Sequence, residues 1–481
     1  MKVLLINTND YVNMHGPVAP IGIDYLQGAL ERERHEVKLV DLSFAEDSEL
    51  ISLVGDFTPD AVGMTIRNTC DCYFFSQHSF LPRIEYLIQI LKNAGLENII
   101  VGGPGFTSMA RLVFEALSAD YGVVGDGELP LVGLLKEIEK GVKYPTTPSV
   151  LYRNQGEVVM NPRVFFDLAD VPDHPRTLVD NVRYYNISGT ANIQTKRGCT
   201  MQCAHCLDPL VGGKCYKHRT MSPNRVADEF QRLHEQGIMH TQVNDPEFNL
   251  PPKHALAVCE ELIRRKNKVG WSCCIHPNAA LVSEELVKVM KEAGCQEVSM
   301  GIESLSNKVM KTLNIYHTPR DVERVIRLFR KYDIPVSQWF IVGLPNEGVE
   351  ELNESLDFIE QQLNPLGGVS AVFIPGVRIY AGTILERFSK ENGVIDPDHD
   401  CLEPTFYKPE HLEFSLLPEL YKRVEKHHLN WAVFKREMLS EEKVGAEFSK
   451  FIAENNLYGP SGYLLSEFFK SDAGHRLTRS G

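Results

Sequence analysis

Three cysteines lie close together in Arg197-Gly198-Cys199-Thr200-Met201-Gln202-Cys203-Ala204-His205-Cys206. Thiolates are soft ligands suited to iron and zinc. Three of them hold three irons of a cubane [4Fe–4S] cluster and leave the fourth iron open. An open iron can bind a small molecule and pass it an electron, which a fully ligated cluster cannot do. Zinc is the rival reading. It wants four ligands, usually in paired C-x2-C spacing, and His205 or Cys215 is near enough in sequence to complete such a set. Uncoordinated core cysteines are the third reading. The C-x3-C-x2-C spacing favours the cluster.

Such a loop needs a rigid frame. From residue 191 apolar runs alternate with amphipathic ones. The pattern predicts strands at Asn192–Lys196, Thr241–Val243, Gly270–Ile275, Glu297–Ile302, Val336–Val342 and Ser370–Ile374. Helices are predicted at Pro223–Gln236, Lys253–Arg265, Ser283–Ala293, Pro319–Tyr332 and Val349–Gln362. Six βα units imply a partial (β/α)6 TIM-like barrel over residues 191–400. The cysteine loop follows its first strand, on the face where barrels carry their catalytic groups.

Residues 1–140 read as a doubly wound, Rossmann-like α/β domain, with strands Val3–Ile6, Glu36–Val40, Ala61–Thr65, Ile99–Val101 and Tyr121–Val124. Their carboxyl ends, where such sheets bind ligands, carry Asn7–Asn9, Thr65–Thr69, Gly102–Gly105 and Gly125–Glu128. Residues 141–190 are rich in proline and read as a linker with a short hairpin around Asn154-Gln155-Gly156. Residues 401–481 read as a helical C-terminal cap shaping a substrate pocket, with Tyr380, Tyr407 and Trp431 as pocket or core residues.

The 481 residues carry a formal net charge of -14. An acidic chain lacks the cationic excess that binds phosphate backbones, so nucleic acid is disfavoured as a partner. No apolar run approaches the roughly 20 residues that span a bilayer. With 11 cysteines and no secretory start, the chain reads as cytoplasmic, with reduced thiols used for metal or catalysis.

The cysteine spacing after a first barrel strand resembles the radical SAM enzymes, over residues 190–385. The resemblance implies S-adenosylmethionine (SAM) on the open iron and its cleavage to a 5′-deoxyadenosyl radical. It implies that Cys199, Cys203 and Cys206 ligate the cluster and are the catalytic residues. It also implies that Glu303 meets the SAM ribose, that Asn244 and Asp245 meet its amine or ribose, and that Ser272 and Gln338 add polar contacts. His205 would pack near adenine. An external electron donor such as flavodoxin or ferredoxin is implied as well. For Asp245 a helix cap is the alternative, and for Ser272 and Gln338 a solvent-facing strand position. Gly343-Leu344-Pro345 and Arg378–Thr383 match segments common in the B12-linked members, with Ala381 where proline is usual.

Residues 20–26, Val101-Gly102-Gly103-Pro104 and Val124–Glu128 resemble the cobalamin-binding domain that precedes such barrels. The D-x-H-x-x-G signature is absent: His15-Gly16 follows the first strand without the aspartate. The resemblance then implies cobalamin bound without a lower histidine. Thr65, Arg67, Asn68, Gly102, Gly103, Pro104, Thr107, Gly127 and Glu128 are the candidate contacts, and Arg67 is the candidate beneath cobalt. A surface Arg67 paired with Asp71 is the alternative. Cys70 and Cys72, at i and i+2, are not expected to hold a second cluster.

Together these imply a cobalamin-dependent radical SAM methyltransferase acting on an unactivated centre of a small molecule or peptide. The same architecture also serves cyclisation, ring rearrangement or oxidation. A non-catalytic cobalamin or metal sensor is the reading from another class.

Overall fold

The computed structural model describes residues 1–10, 16–212, 219–427, 430–434 and 441–471. Its first sheet begins with five parallel strands: β1 (Lys2–Asn7), β2 (Glu36–Asp41), β3 (Ala61–Thr65), β4 (Ile99–Gly102) and β5 (Tyr121–Val123). β1 buries Val3, Leu4, Leu5 and Ile6 together, because helices cover both faces. Leu30, Leu131 and Leu134 of helices Ile21–Arg32 and Glu128–Glu139 pack on one side. Leu50, Leu87 and Val113 of helices Asp47–Phe57, Leu81–Asn93 and Ala110–Ala116 pack on the other. The strand order β2-β1-β3-β4-β5 puts the reversal of direction at β1 and β3, where ligands of open sheets bind. The hairpin expected in the linker, β6 (Val150–Asn154) with β7 (Glu157–Met160), pairs antiparallel onto β5 and completes a seven-stranded sheet. It covers an edge that would otherwise offer unpaired backbone groups.

β8 (Ala191–Ile193) starts the second sheet. The strand expected to run to Lys196 breaks after Ile193, and β9 (Lys196–Arg197) pairs instead with β10 (Arg219–Thr220). The sheet continues with β11 (His240–Val243), β12 (Gly270–Cys274), β13 (Cys295–Glu303), β14 (Val336–Val342) and β15 (Val369–Pro375). β16 (Val377–Ile379) and β17 (Thr405–Tyr407) form a side ribbon. β18 (Trp431–Val433) then pairs parallel with β15 as a seventh barrel strand. The sequence reading held this segment to be part of a helical cap. The Trp431 ring instead packs on Phe373, and its indole N–H donates to Asn364 Oδ1 at 3.1 Å, so Trp431 is core. Tyr407 is also buried, while Tyr380 stays half-buried.

Helices 223–235, 252–264, 284–292, 319–331 and 349–358 cover the outer face of this sheet. Helices 441–455 and 461–470 lie on the inner face, where Phe448, Ile452 and Leu464 meet Trp339, Val372 and Ile374. An incomplete barrel leaves that apolar surface open, and burying each such side chain contributes about 1.5–3 kcal/mol.

A buried polar node ties the two sheets together. Arg176 is 1% exposed. It donates to Glu229 Oε2 (3.1 Å), Asn181 Oδ1 (3.0 Å) and the Asn192 carbonyl (2.8 Å), and lies 3.9 Å from Asp24 Oδ2. Asp24 belongs to the first domain and Glu229 to the first barrel helix, so one guanidinium serves three segments that would otherwise bury unpaired charge.

Candidate functional site

The cysteine loop is fastened at both ends. Asp245, at the end of β11, accepts from the Thr195 and Lys196 amides at 2.8 and 3.2 Å and from the Thr195 hydroxyl at 2.5 Å. These bonds draw the chain off the sheet after Ile193 and start the loop. Inside the loop, the Ala204 amide donates to the Leu313 carbonyl, and the Ala204 carbonyl accepts from Leu385, each at 2.8 Å. Asn314 Nδ2 donates to the Gln202 carbonyl at 2.8 Å. On the far side Arg163 donates to the carbonyls of Leu210 and Val211.

Cys199, Cys203 and Cys206 are half-buried and close enough to act on one another electrostatically. Burial raises all three thiols, Cys206 well above the ordinary range, with neighbouring carboxylates adding to it. Neutral thiols in such a place ionise only when a metal supplies positive charge. Among the described residues the donor set is three soft sulfurs, and it fits an iron–sulfur cluster with one iron left open.

Polar atoms without protein partners surround the loop. The Lys196 Nζ, the His205 Nδ1 and the Glu247 Oε2 are buried with no hydrogen-bond partner among the described residues. Glu303 ends β13 at a register shift, with φ +59°, and its Oε1 lies 3.7 Å from His205 Nε2. Burial lifts Glu303 to about 7 and lowers His205 to about 4, leaving the imidazole neutral. Burial, with the Glu303 charge beside it, also raises Glu247 well above the carboxylate range. A zwitterionic, nucleoside-bearing ligand such as SAM fits this mixture of unpaired cation, carboxylates and flat neutral ring.

Of the expected SAM contacts, the structure brings Glu303 and His205 together, and Asn244 is exposed at the end of β11. The others are engaged by protein groups or buried against the helices. Both Asp245 oxygens are engaged as described. Ser272 donates to Gln242 Oε1 at 2.6 Å and meets His240 Nε2 at 3.2 Å in a buried cluster. Gln338 is fully buried and shares a face of β14 with Val336, Phe340 and Val342, against the helices. The sequence does not single out Lys196 or Glu247. The available signal was the second acid of Asp245-Pro246-Glu247 and a lysine beside the loop.

In the first domain, Arg67 is half-buried with no acidic partner among the described residues. Asp71 is engaged by Ser76 Oγ and the Tyr73 amide instead. Thr65 is half-buried and Asn68 and Pro104 are exposed at the same edge, beside Gly102 and Gly103. Gly103 has φ +101°, and a Cβ there would stand 2.7 Å from the Ile66 carbonyl, so its loop packs closely on the Arg67 loop. Such a bare edge beside an uncompensated guanidinium fits a large corrin. Thr107 and Glu128 are otherwise engaged. Thr107 Oγ1 accepts from the Gly125 amide at 2.9 Å. Glu128 takes Arg197, at 2.5 and 3.1 Å. Asp126 joins Arg197 at 3.1 Å and also pairs with Arg219, and Gly127 lies between these two acids. The Gly125–Glu128 segment therefore fastens the first domain to the cysteine loop. Cys215 and His15 lie outside the described residues.

The Radical SAM superfamily profile matches residues 193–359, and the B12 binding domain profile matches residues 11–135. The chain is 26% identical to a tryptophan 2-C-methyltransferase of Streptomyces laurentii, over 74% of this chain and 69% of that one. It is 24% identical to a cytidylyl-2-hydroxyethylphosphonate methyltransferase of Streptomyces wedmorensis, over 84% of each. Its fold superposes on a radical S-adenosylmethionine methyltransferase of Kitasatospora setae solved with cobalamin and a [4Fe-4S] cluster. The TM-score is 0.84, at 22% identity and over 100% of both chains. The architecture is that of a radical SAM enzyme. The chain carries a B12 binding domain ahead of a radical SAM domain, the domain order of cobalamin-dependent radical SAM enzymes.

Proposed function

We propose that this chain is a cobalamin-dependent radical SAM methyltransferase acting on a small molecule or peptide. One observation supports it above the others. The carboxyl edge of the first sheet, at Ile66–Phe75, Gly103–Gly105 and Gly125–Glu128, abuts the loops at the mouth of the barrel. Cofactors held at these two edges would lie close to one another, as methyl transfer between them requires.

The functional units in this reading are residues 1–140 for cobalamin, 141–190 as connector, 191–400 for SAM and 401–481 over the substrate. The SAM, the [4Fe–4S] cluster and the corrin supply methyl-transfer and radical chemistry when bound. Cys199, Cys203 and Cys206 ligate the cluster. Glu303, His205 and Asn244 orient SAM, and Lys196 offsets buried negative charge beside it. Thr65, Arg67, Asn68 and Gly102–Pro104 would hold the corrin, with Arg67 standing in for the lower histidine that the chain lacks. The inner-face helices keep water out. An external flavodoxin or ferredoxin supplies electrons, and no nucleic acid takes part. No helix among the described residues is long and apolar enough to cross a membrane, in keeping with a cytoplasmic enzyme.

The test is anaerobic turnover of the reconstituted protein with methyl-labelled SAM and candidate substrates. Labelled methylated product together with 5′-deoxyadenosine supports the proposal. Deoxyadenosine with a rearranged, unlabelled product rejects methylation in favour of cyclisation or oxidation, and no SAM consumption at all favours a sensor.

A further inference from the structure

The Cys70–Cys72 segment behaves differently from an extended chain. Cys72 sits in the left-handed region, with φ +64°. That turn brings the two sulfurs within 3.8 Å of each other, closer than the roughly 6.5–7 Å between i and i+2 side chains on one face of a strand. The surrounding hairpin is ordered. Cys70 bridges Ser79, the Asp71 amide donates to the His78 carbonyl at 3.1 Å, and the Phe80 amide donates to the Thr69 carbonyl at 2.9 Å. Cys70 is fully buried and Cys72 half-buried. Across the domain seam, the Cys72 Sγ lies 3.0 Å from the Tyr380 hydroxyl, which follows β16 of the barrel. Neither thiol belongs to the cluster loop.

We propose that Cys70 and Cys72 form a dithiol site that closes to an intramolecular disulfide at the seam between the first domain and the barrel. A left-handed residue is costly for anything but glycine, and here it faces two sulfurs toward each other. A disulfide needs the sulfurs at ~2.05 Å, a closing motion within reach of a three-residue turn. The hydrogen bond from Cys72, with the Arg378 charge nearby, draws Cys70 down to about 7, where thiolate is available at neutral pH. Either sulfur can donate to the other, so the remaining proton moves between them.

The oxidant is a small-molecule disulfide. The half-exposed Cys72 sulfur passes its proton to the Cys70 thiolate and attacks one sulfur of the oxidant, whose S–S bond breaks and releases one thiolate. The Cys70 sulfur gives its proton to that thiolate and attacks the Cys72 sulfur, expelling the second thiolate, which takes a proton from water. Two protein thiols lose two electrons and two protons, and the oxidant becomes two thiols. Closure pulls Cys72 away from Tyr380, so the oxidation state of the pair is coupled to a contact between the domains.

The test uses full-length reconstituted protein equilibrated anaerobically across glutathione:glutathione-disulfide ratios, trapped with N-ethylmaleimide and digested. The peptide holding Cys70 and Cys72 is expected to carry two maleimides at the reducing end. At the oxidising end it is expected to be unlabelled and two hydrogens lighter, at unchanged iron content. In Cys70→Ser the same end gives one glutathione on Cys72. Two maleimides on the wild-type peptide throughout, or a stable glutathione adduct on wild-type Cys72 without ring closure, overturns the proposal. The wild-type peptide decides the matter even where a variant fails to fold, and it does so whatever the enzyme's substrate.

Discussion

Arg197 and Glu128, 69 positions apart, meet in a forked pair of 2.5 and 3.1 Å at the seam between the two domains. Both side chains are nearly buried, at 12% and 4% exposure. The guanidinium also faces Asp126, which a second arginine, Arg219, shares. The residue before Gly198-Cys199 is thus anchored to the domain that carries the B12 binding profile, so the cluster loop takes its position from the first domain as well as from the barrel.

Arg197→Met is expected to leave two carboxylates against Arg219 alone. Removing one member of a buried pair costs about 3–5 kcal/mol. Glu128→Gln keeps a hydrogen-bonding group and leaves Asp126 in place, so its loss should be smaller. Urea unfolding of both variants checks the order. Equal losses would show that the fork does not carry the contact.

Asp245 acts here as a clamp on Thr195 and Lys196. Asp245→Ala strands two backbone donors in a buried site, while the Thr195 hydroxyl keeps His254 at 3.1 Å, and each unmet buried group costs about 1–3 kcal/mol. The variant should unfold at lower urea even without SAM or iron. Unchanged stability of the cofactor-free protein, with SAM affinity alone reduced, would make Asp245 a ligand contact instead.

Glu297, low on the inner face of β13, caps the helix at 461–470 by accepting from the Gly462 amide at 3.2 Å. Burial raises its carboxyl to about 7, opposed only by backbone amides. The folded state therefore holds this proton more tightly than the unfolded chain does. The stability it contributes is fully present below pH ~4.5 and is lost as pH rises through about 7. Glu297→Gln should flatten the stability–pH curve between those limits and be the more stable protein at pH 8, as measured by thermal unfolding. An unchanged slope would refute this.

Gly103→Ala places a Cβ 2.7 Å from the Ile66 carbonyl on a backbone with φ +101°. Backbone strain alone is expected to cost ~1–3 kcal/mol, and the Arg67 loop must shift. Cobalamin retention after gel filtration should fall with stability. Full retention in a destabilised variant would separate this glycine from the corrin edge.

What was legible in the sequence was local or periodic. Continuous apolar strands gave the parallel sheets, and the spacing of Cys199, Cys203 and Cys206 pointed to its chemistry without any partner. What was not legible depended on distant pairing. Glu128 reads as a glycine-loop acid until Arg197 is seen against it. Gln338 reads as a SAM contact or a solvent-facing residue because a strand that is apolar on both faces does not reveal which face is which, and the register shift near Glu303 compounds this. β18 is three residues long, too short for any period to show. Cys70 and Cys72 converge only because one residue adopts a left-handed conformation that no pattern announces.

The account rests on three thiolates holding an iron–sulfur cluster with an open iron. Iron and sulfide analysis with Mössbauer spectroscopy of anaerobically reconstituted protein tests this most directly. About four irons and four sulfides per chain are predicted, with one iron distinguishable from the other three and perturbed by added SAM, and with the whole signal lost in Cys203→Ala. Stoichiometric zinc at this loop, or an undiminished cluster in that variant, would contradict it.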